Sequence, residues 1–105
     1  MIKEKEEILK AIYSTVRSVV PDARVILYGS QARGDSVPGS DWDILVILNK
    51  SGVEPADYNK IMYPLYELGW EKGQHFSVKL YSNEEWMKRS YTPFYKNVES
   101  EGIML

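Results

Sequence analysis

At 105 residues the chain has the size of one domain and leaves no room for separate catalytic and substrate domains. Hydrophobic residues at 44% and charged residues at 27% exclude a disordered or fibrous protein, and 13 Lys+Arg against 15 Asp+Glu, a net charge of -2, argue against one held on DNA or RNA by charge. There is no cysteine, which excludes a disulfide framework, a thiolate metal site and a cysteine nucleophile, and fits a reducing cytoplasm.

Acids interrupt the first residues (Ile2-Lys3-Glu4-Lys5-Glu6-Glu7), so no signal segment is expected there, and no later stretch is long and apolar enough to span a bilayer. Without repeats, low-complexity tracts or a Gly/Ser/Pro linker, residues 1–105 read as a single domain. Ile8, Leu9, Ile12, Tyr13, Val16, Val19 and Val20 recur at three- and four-residue steps, the stripe of an amphipathic helix, which Pro21-Asp22 ends. Val25-Ile26-Leu27-Tyr28 is a short apolar run stopped by Gly29 and predicts a buried strand. Ser30 to Ser40, polar and small, predicts a loop that opens with a helical turn. Ile44 to Leu48 is apolar at every position, as in a strand covered on both faces of an α/β domain.

From Pro55 to Lys72 the residues Tyr58, Ile61, Met62, Leu65, Tyr66 and Leu68 keep helical spacing, with Pro55 suited to a first turn and Pro64 expected to kink or split the helix. Phe76, Val78 and Leu80 alternate with Ser77, Lys79 and Tyr81, the period of a third strand. Ser82-Asn83-Glu84-Glu85 has capping-box spacing ahead of Trp86 and Met87 and starts a short helix. After Pro93, one or two helical turns over Phe94 to Val98 lead to Gly102 and an apolar tail, Ile103-Met104-Leu105, that either packs on the sheet or joins Tyr91, Phe94 and Tyr95 in a partner-binding patch.

The chemistry is concentrated in Gly29-Ser30-Gln31-Ala32-Arg33-Gly34 and Ser40-Asp41-Trp42-Asp43-Ile44. The first segment delivers a glycine and a hydroxyl at a strand end, where backbone approaches a ligand closely and the free N–H groups of a following helical turn favour phosphate. The second places two carboxylates at i and i+2, on one face of a strand and about 6.6 Å apart along it. Their repulsion, about 2.5 kcal/mol at an effective dielectric near 20, is relieved by a hard divalent cation such as Mg²⁺. Gly29 ends one strand and Asp41 begins the next, so antiparallel pairing brings phosphate cradle and metal ligands to the same end of the sheet. The matching reaction is nucleotidyl transfer.

These two segments, with Tyr28 to Val46 as the motif proper, resemble the signature of minimal nucleotidyltransferases of the DNA polymerase β-like superfamily. The resemblance implies an α/β (α+β) nucleotidyltransferase fold, a small mixed sheet with an antiparallel strand pair flanked by helices. It also implies Asp41 and Asp43 as catalytic metal ligands for Mg²⁺, Gly29 and Ser30 on the nucleotide phosphates, and Arg33 as a supporting residue beside them. AMP transfer from ATP to an acceptor hydroxyl is the expected activity. Members of this family often work beside a small helical partner of the HEPN type, in some cases as the antitoxin that adenylylates it. Many also carry a third carboxylate on a later strand. Here no acid lies between Glu71 and Glu84, and Ser77 or Lys79 faces the site instead. The alternative is therefore a nucleotide-binding regulatory subunit or antitoxin whose catalysis is impaired.

Several residues also have plainer readings. Gly29-Ser30 alone describes a turn and a cap, paired acids alone a solvated loop end, and Arg33 alone a surface ion pair; it is their joint occurrence that points to a site. Asp35 reads as a turn residue, His75 as structural or exposed, and Trp42 as a packing residue on the face opposite the acids.

Overall fold

In the computed structural model, which describes residues 2–105, the chain runs α1 (Ile2–Val19), β1 (Arg24–Tyr28), α2 (Ser30–Arg33), β2 (Trp42–Leu48), α3 (Pro55–Glu71), β3 (Phe76–Ser82), α4 (Asn83–Lys88), α5 (Pro93–Glu101) and β4 (Ile103–Met104). The strands form one sheet in the order β3-β2-β1-β4. β1 pairs antiparallel with β2 and β4, while β2 and β3 are parallel and need the long crossover that α3 supplies. The expected mixed sheet with an antiparallel pair flanked by helices is the observed one.

Side-chain alternation divides the core into two layers. On one face Ile8, Ile12 and Val16 of α1 and Ile61 and Leu65 of α3 pack against Val25, Leu27, Ile44, Val46, Leu48, Phe76, Val78 and Leu80. On the other, Trp86 of α4 and Val98 of α5 cover Ile26, Tyr28, Leu45 and Ile47, with Tyr81, Phe94 and Tyr95 around them. β2 is the central strand of this sandwich, which is why Ile44 to Leu48 are apolar throughout and no more than 2% exposed. The second layer rests on aromatic contacts: the Trp86 ring lies 4.7 Å from Tyr95, 5.6 Å from Tyr81 and 5.7 Å from Phe94.

The helix ends follow local chemistry. Ser82 accepts from Glu85 N–H at 3.1 Å and Glu85 accepts from Ser82 N–H at 3.0 Å, the reciprocal cap read from the sequence. Thr92 caps α5 in a similar way, accepting from Tyr95 N–H. Asp57 accepts from Glu54 N–H at 2.8 Å ahead of Pro55. Pro64 lies inside α3 without splitting it, so the helix read from Pro55 onward is one element of 17 residues. Ile61 and Leu65, on either side of the proline, are both 0% exposed, so burial holds the two halves in register across the missing hydrogen bond.

The apolar tail joins the sheet. Ile103 and Met104 pair with Leu27 and Ile26, and Leu105 N–H donates to Val25 O at 2.9 Å. Gly102 makes this possible, because a Cβ there would lie 2.5 Å from Val98 O and 2.7 Å from Ile26 Cγ2. Among the described residues no helix is long and apolar enough to cross a membrane.

Gly102→Ala is therefore expected to push α5 off Ile26 and cost about 1–3 kcal/mol. In thermal unfolding this is a drop of roughly 4–8 °C per kcal/mol, and an unchanged midpoint would show that the junction yields without cost.

Candidate active site

The pairing of β1 with β2 sets the geometry. Tyr28 stands opposite Asp43, so the chain leaving β1 at Gly29 and the chain entering β2 at Asp41 meet at one end of the sheet, as the sequence predicted. The contact there is intimate: a Cβ on Gly29 would lie 2.2 Å from Asp43 Oδ2 and 3.1 Å from its Cγ. Gly29 also has φ +75°, a conformation that side chains resist. Glycine is thus required twice, once by the backbone turn and once by the carboxylate lying on it.

Gly29 opens α2, a single turn. Ala32 and Arg33 donate to Gly29 O, both at 3.0 Å, and Gly34 donates to Ser30 O at 2.9 Å. The first N–H groups of such a turn have no partner within it and point out of its start, beside Asp43. Phosphate chemistry at Gly29 and Ser30 fits these donors.

Asp43 is half-buried, and burial first, then the charge of Asp41, push its carboxyl above the usual range. Lys79 and Arg33 oppose that shift and Glu101 adds to it, so three carboxylates and two cations act on one another at this end of the sheet. Asp41 is exposed, with His75 Nδ1 3.4 Å from its Oδ1. The Tyr28 phenol is held protonated far above the usual tyrosine range, by burial and then by the Asp43 charge.

A divalent cation fits this donor set. Two carboxylates repel each other, glycine at position 29 leaves the room that the Asp43 carboxylate occupies, and oxygen ligands suit Mg²⁺, which keeps positions for water and phosphate. Among the described residues no group of three or more His, Cys, Asp or Glu is arranged to hold a metal. β3 explains why. In the parallel register Ser77 lies beside Asp43 and Lys79 beside Leu45, so both face the site side of the sheet where an acid would complete the set.

The remaining residues separate clearly. Trp42 turns to the opposite face, 4% exposed, donating from Nε1 to Gln74 Oε1 at 2.9 Å and meeting Phe76 edge-on; it packs. His75 is exposed, as read from the sequence, but its contact with Asp41 was not foreseen. Arg33 forms ion pairs with Asp35 and Glu101, each at 3.2 Å, and Asp35 is thus more than a turn residue. Glu101, 68 positions from Arg33, carries no local signal, since its role depends on where α5 ends relative to α2.

The nucleotidyltransferase domain family matches residues 2–103. Among curated proteins none matches the chain. Among solved structures, a toxin–antitoxin crystallised with AMP-PNP aligns at TM-score 0.64 and 18% identity, over 90% of this chain and 69% of that one. A mutant of the toxin–antitoxin MntA-HpeT aligns at the same TM-score and identity, over 91% of this chain and 69% of that one. At this identity the likeness is one of fold.

The raised carboxyl of Asp43 gives a signed expectation for stability. A carboxyl whose native value lies above its unfolded value of 3.8 costs the folded protein stability once ionised, and the cost is relieved below the unfolded value. Asp43→Asn without added metal should therefore unfold at a higher temperature than wild type at pH 7. The gain should shrink as the pH falls towards 4, and a loss of stability at pH 7 would contradict this account of the site.

Proposed function

We propose that this chain, which belongs to the nucleotidyltransferase domain family, transfers AMP from ATP to an acceptor hydroxyl on a protein partner, with Asp41 and Asp43 as ligands for Mg²⁺. The observation that carries the reading is the contact of Gly29 with Asp43, which joins a phosphate-type turn and a carboxylate pair into a single site.

In this reading the triphosphate lies along the start of α2, with backbone N–H groups and the Ser30 hydroxyl on its oxygens and Arg33 offsetting charge on the leaving pyrophosphate. Bound Mg²⁺ supplies charge neutralisation and polarises the α-phosphoryl group. The acceptor oxygen forms a bond to the α-phosphorus, the bond from that phosphorus to the bridging oxygen breaks, pyrophosphate leaves with the electron pair, and the hydroxyl proton passes to water. Lys79, on the same face as Asp43, balances part of the negative charge gathered there.

The protein partner is supported by the fold neighbours, which are toxin–antitoxin structures. A helical partner of the HEPN type fits this reading, and a cytoplasmic setting is consistent with the absence of cysteine. Stable DNA or RNA binding does not fit the acidic balance.

One observation favours a second reading, a regulatory subunit or antitoxin that binds nucleotide and transfers it poorly. Ser77 occupies the position beside Asp43 where a third carboxylate would complete the set. Mixing the protein with ATP labelled at the α-phosphate, Mg²⁺ and a co-purified partner separates the two. Transfer, seen as label and a mass increase of one AMP on the partner, is expected for wild type and should fall about a hundredfold or more in Asp41→Asn or Asp43→Asn. Binding without transfer, with transfer appearing in Ser77→Asp, would replace the first reading with the second.

A further inference from the structure

Arg33 is gripped from two directions. Its Nε donates to Asp35 Oδ2 at 3.2 Å, and its Nη1 donates to both oxygens of Glu101 at 3.3 and 3.2 Å. Among the described residues Nη2 has no such partner, so one nitrogen of the guanidinium keeps two open N–H donors.

The backbone that carries each carboxylate is placed by the fold. Asp35 follows Gly34, whose φ of +86° turns the chain after α2, and Asp35 N–H bonds back to Ser30 O at 3.2 Å. Glu101 closes α5, and the next residue, Gly102, is wedged between Val98 O and Ile26 before β4 pairs with β1. The Glu101 side chain is only 24% exposed, less than the Arg33 side chain it holds, which sets the pair apart from a fully solvated one. Arg33 lies one helical turn from the carboxylate: its N–H donates to Gly29 O at 3.0 Å, and Asp43 lies directly against Gly29.

We propose that Glu101 is a positioning residue of the nucleotide site: together with Asp35 it fixes the guanidinium plane of Arg33 so that the Nη2 edge is presented to a polyphosphate at Gly29 and Ser30. The inference rests on the reading of that turn and the acids as a nucleotide site, and it extends the site to α5 and β4. An arginine with free rotamers loses them on binding an anion, whereas one already fixed at two nitrogens has less freedom left to lose.

Glu101 has a competing effect of opposite sign. A carboxylate near a bound triphosphate repels it, so simple charge removal would tighten binding. Dissociation constants for AMP-PNP with Mg²⁺ in wild type, Glu101→Gln, Arg33→Gln and the double variant separate the two effects. Positioning predicts about fivefold weaker binding in Glu101→Gln and no further loss when Glu101→Gln is added to Arg33→Gln. Tighter binding in Glu101→Gln, or an equal change in both backgrounds, would overturn it.

A second measurement needs no variant. The Arg33 Nε–H resonance of wild type should shift when inorganic pyrophosphate is added, and a resonance that stays in place under saturating pyrophosphate would also overturn the inference. Wild type that binds AMP-PNP no better than Asp43→Asn does would remove the underlying site as well. Binding that depends on Asp43 but not on Arg33 would remove this inference alone.

Discussion

The antiparallel register that sets Tyr28 opposite Asp43 is the constraint on which the rest of the molecule depends. Shifting it by one residue would turn the Asp43 carboxylate into the apolar layer beneath α1 and α3 and carry Ile44, Val46 and Leu48 out of that layer, so the packing of the layer and the cost of burying a charge enforce it. The same register lays the Asp43 carboxylate on Gly29, where no other residue leaves room. Packing that stabilises the core and geometry that assembles the site are thus one arrangement, with the apolar stretch of each strand in the sandwich and the polar ends meeting at its edge.

Charge at that edge is arranged against stability. Asp43 is half-buried beside Asp41, and its raised carboxyl records the cost. Lys79 approaches from β3 and Arg33 from α2, while Glu101 and Asp35 return negative charge to the arginine. Strain of this kind persists when the surrounding core over-determines it, and here Ile44, Leu45 and Val46, all 0% exposed, follow directly after the acid. A cation with phosphate oxygens would turn the repulsion into binding energy.

Much of this was legible in the sequence because it was local or periodic. The stripe of α1, the uninterrupted apolar run of β2, the alternation of β3 and the Ser82–Glu85 cap each follow from spacing, and the meeting of Gly29 with the acids follows from one antiparallel turn of the chain. What escaped was set by tertiary contacts. The tail becomes β4 because Gly102 lets it approach Ile26, and Glu101 reaches Arg33 only once α5 has packed on the sheet. His75 beside Asp41 is of the same kind, the product of parallel pairing between β2 and β3.

Gly29, Ser30, Asp41 and Asp43 are proposed to form one site for a metal-bound triphosphate. Anomalous scattering from crystals grown with Mn²⁺ and AMP-PNP tests it most directly. A metal peak shared by the Asp41 and Asp43 carboxylates is expected, with the phosphates over the N–H groups that follow Gly29. A metal peak away from these acids, or a nucleotide bound elsewhere on the chain, would contradict it.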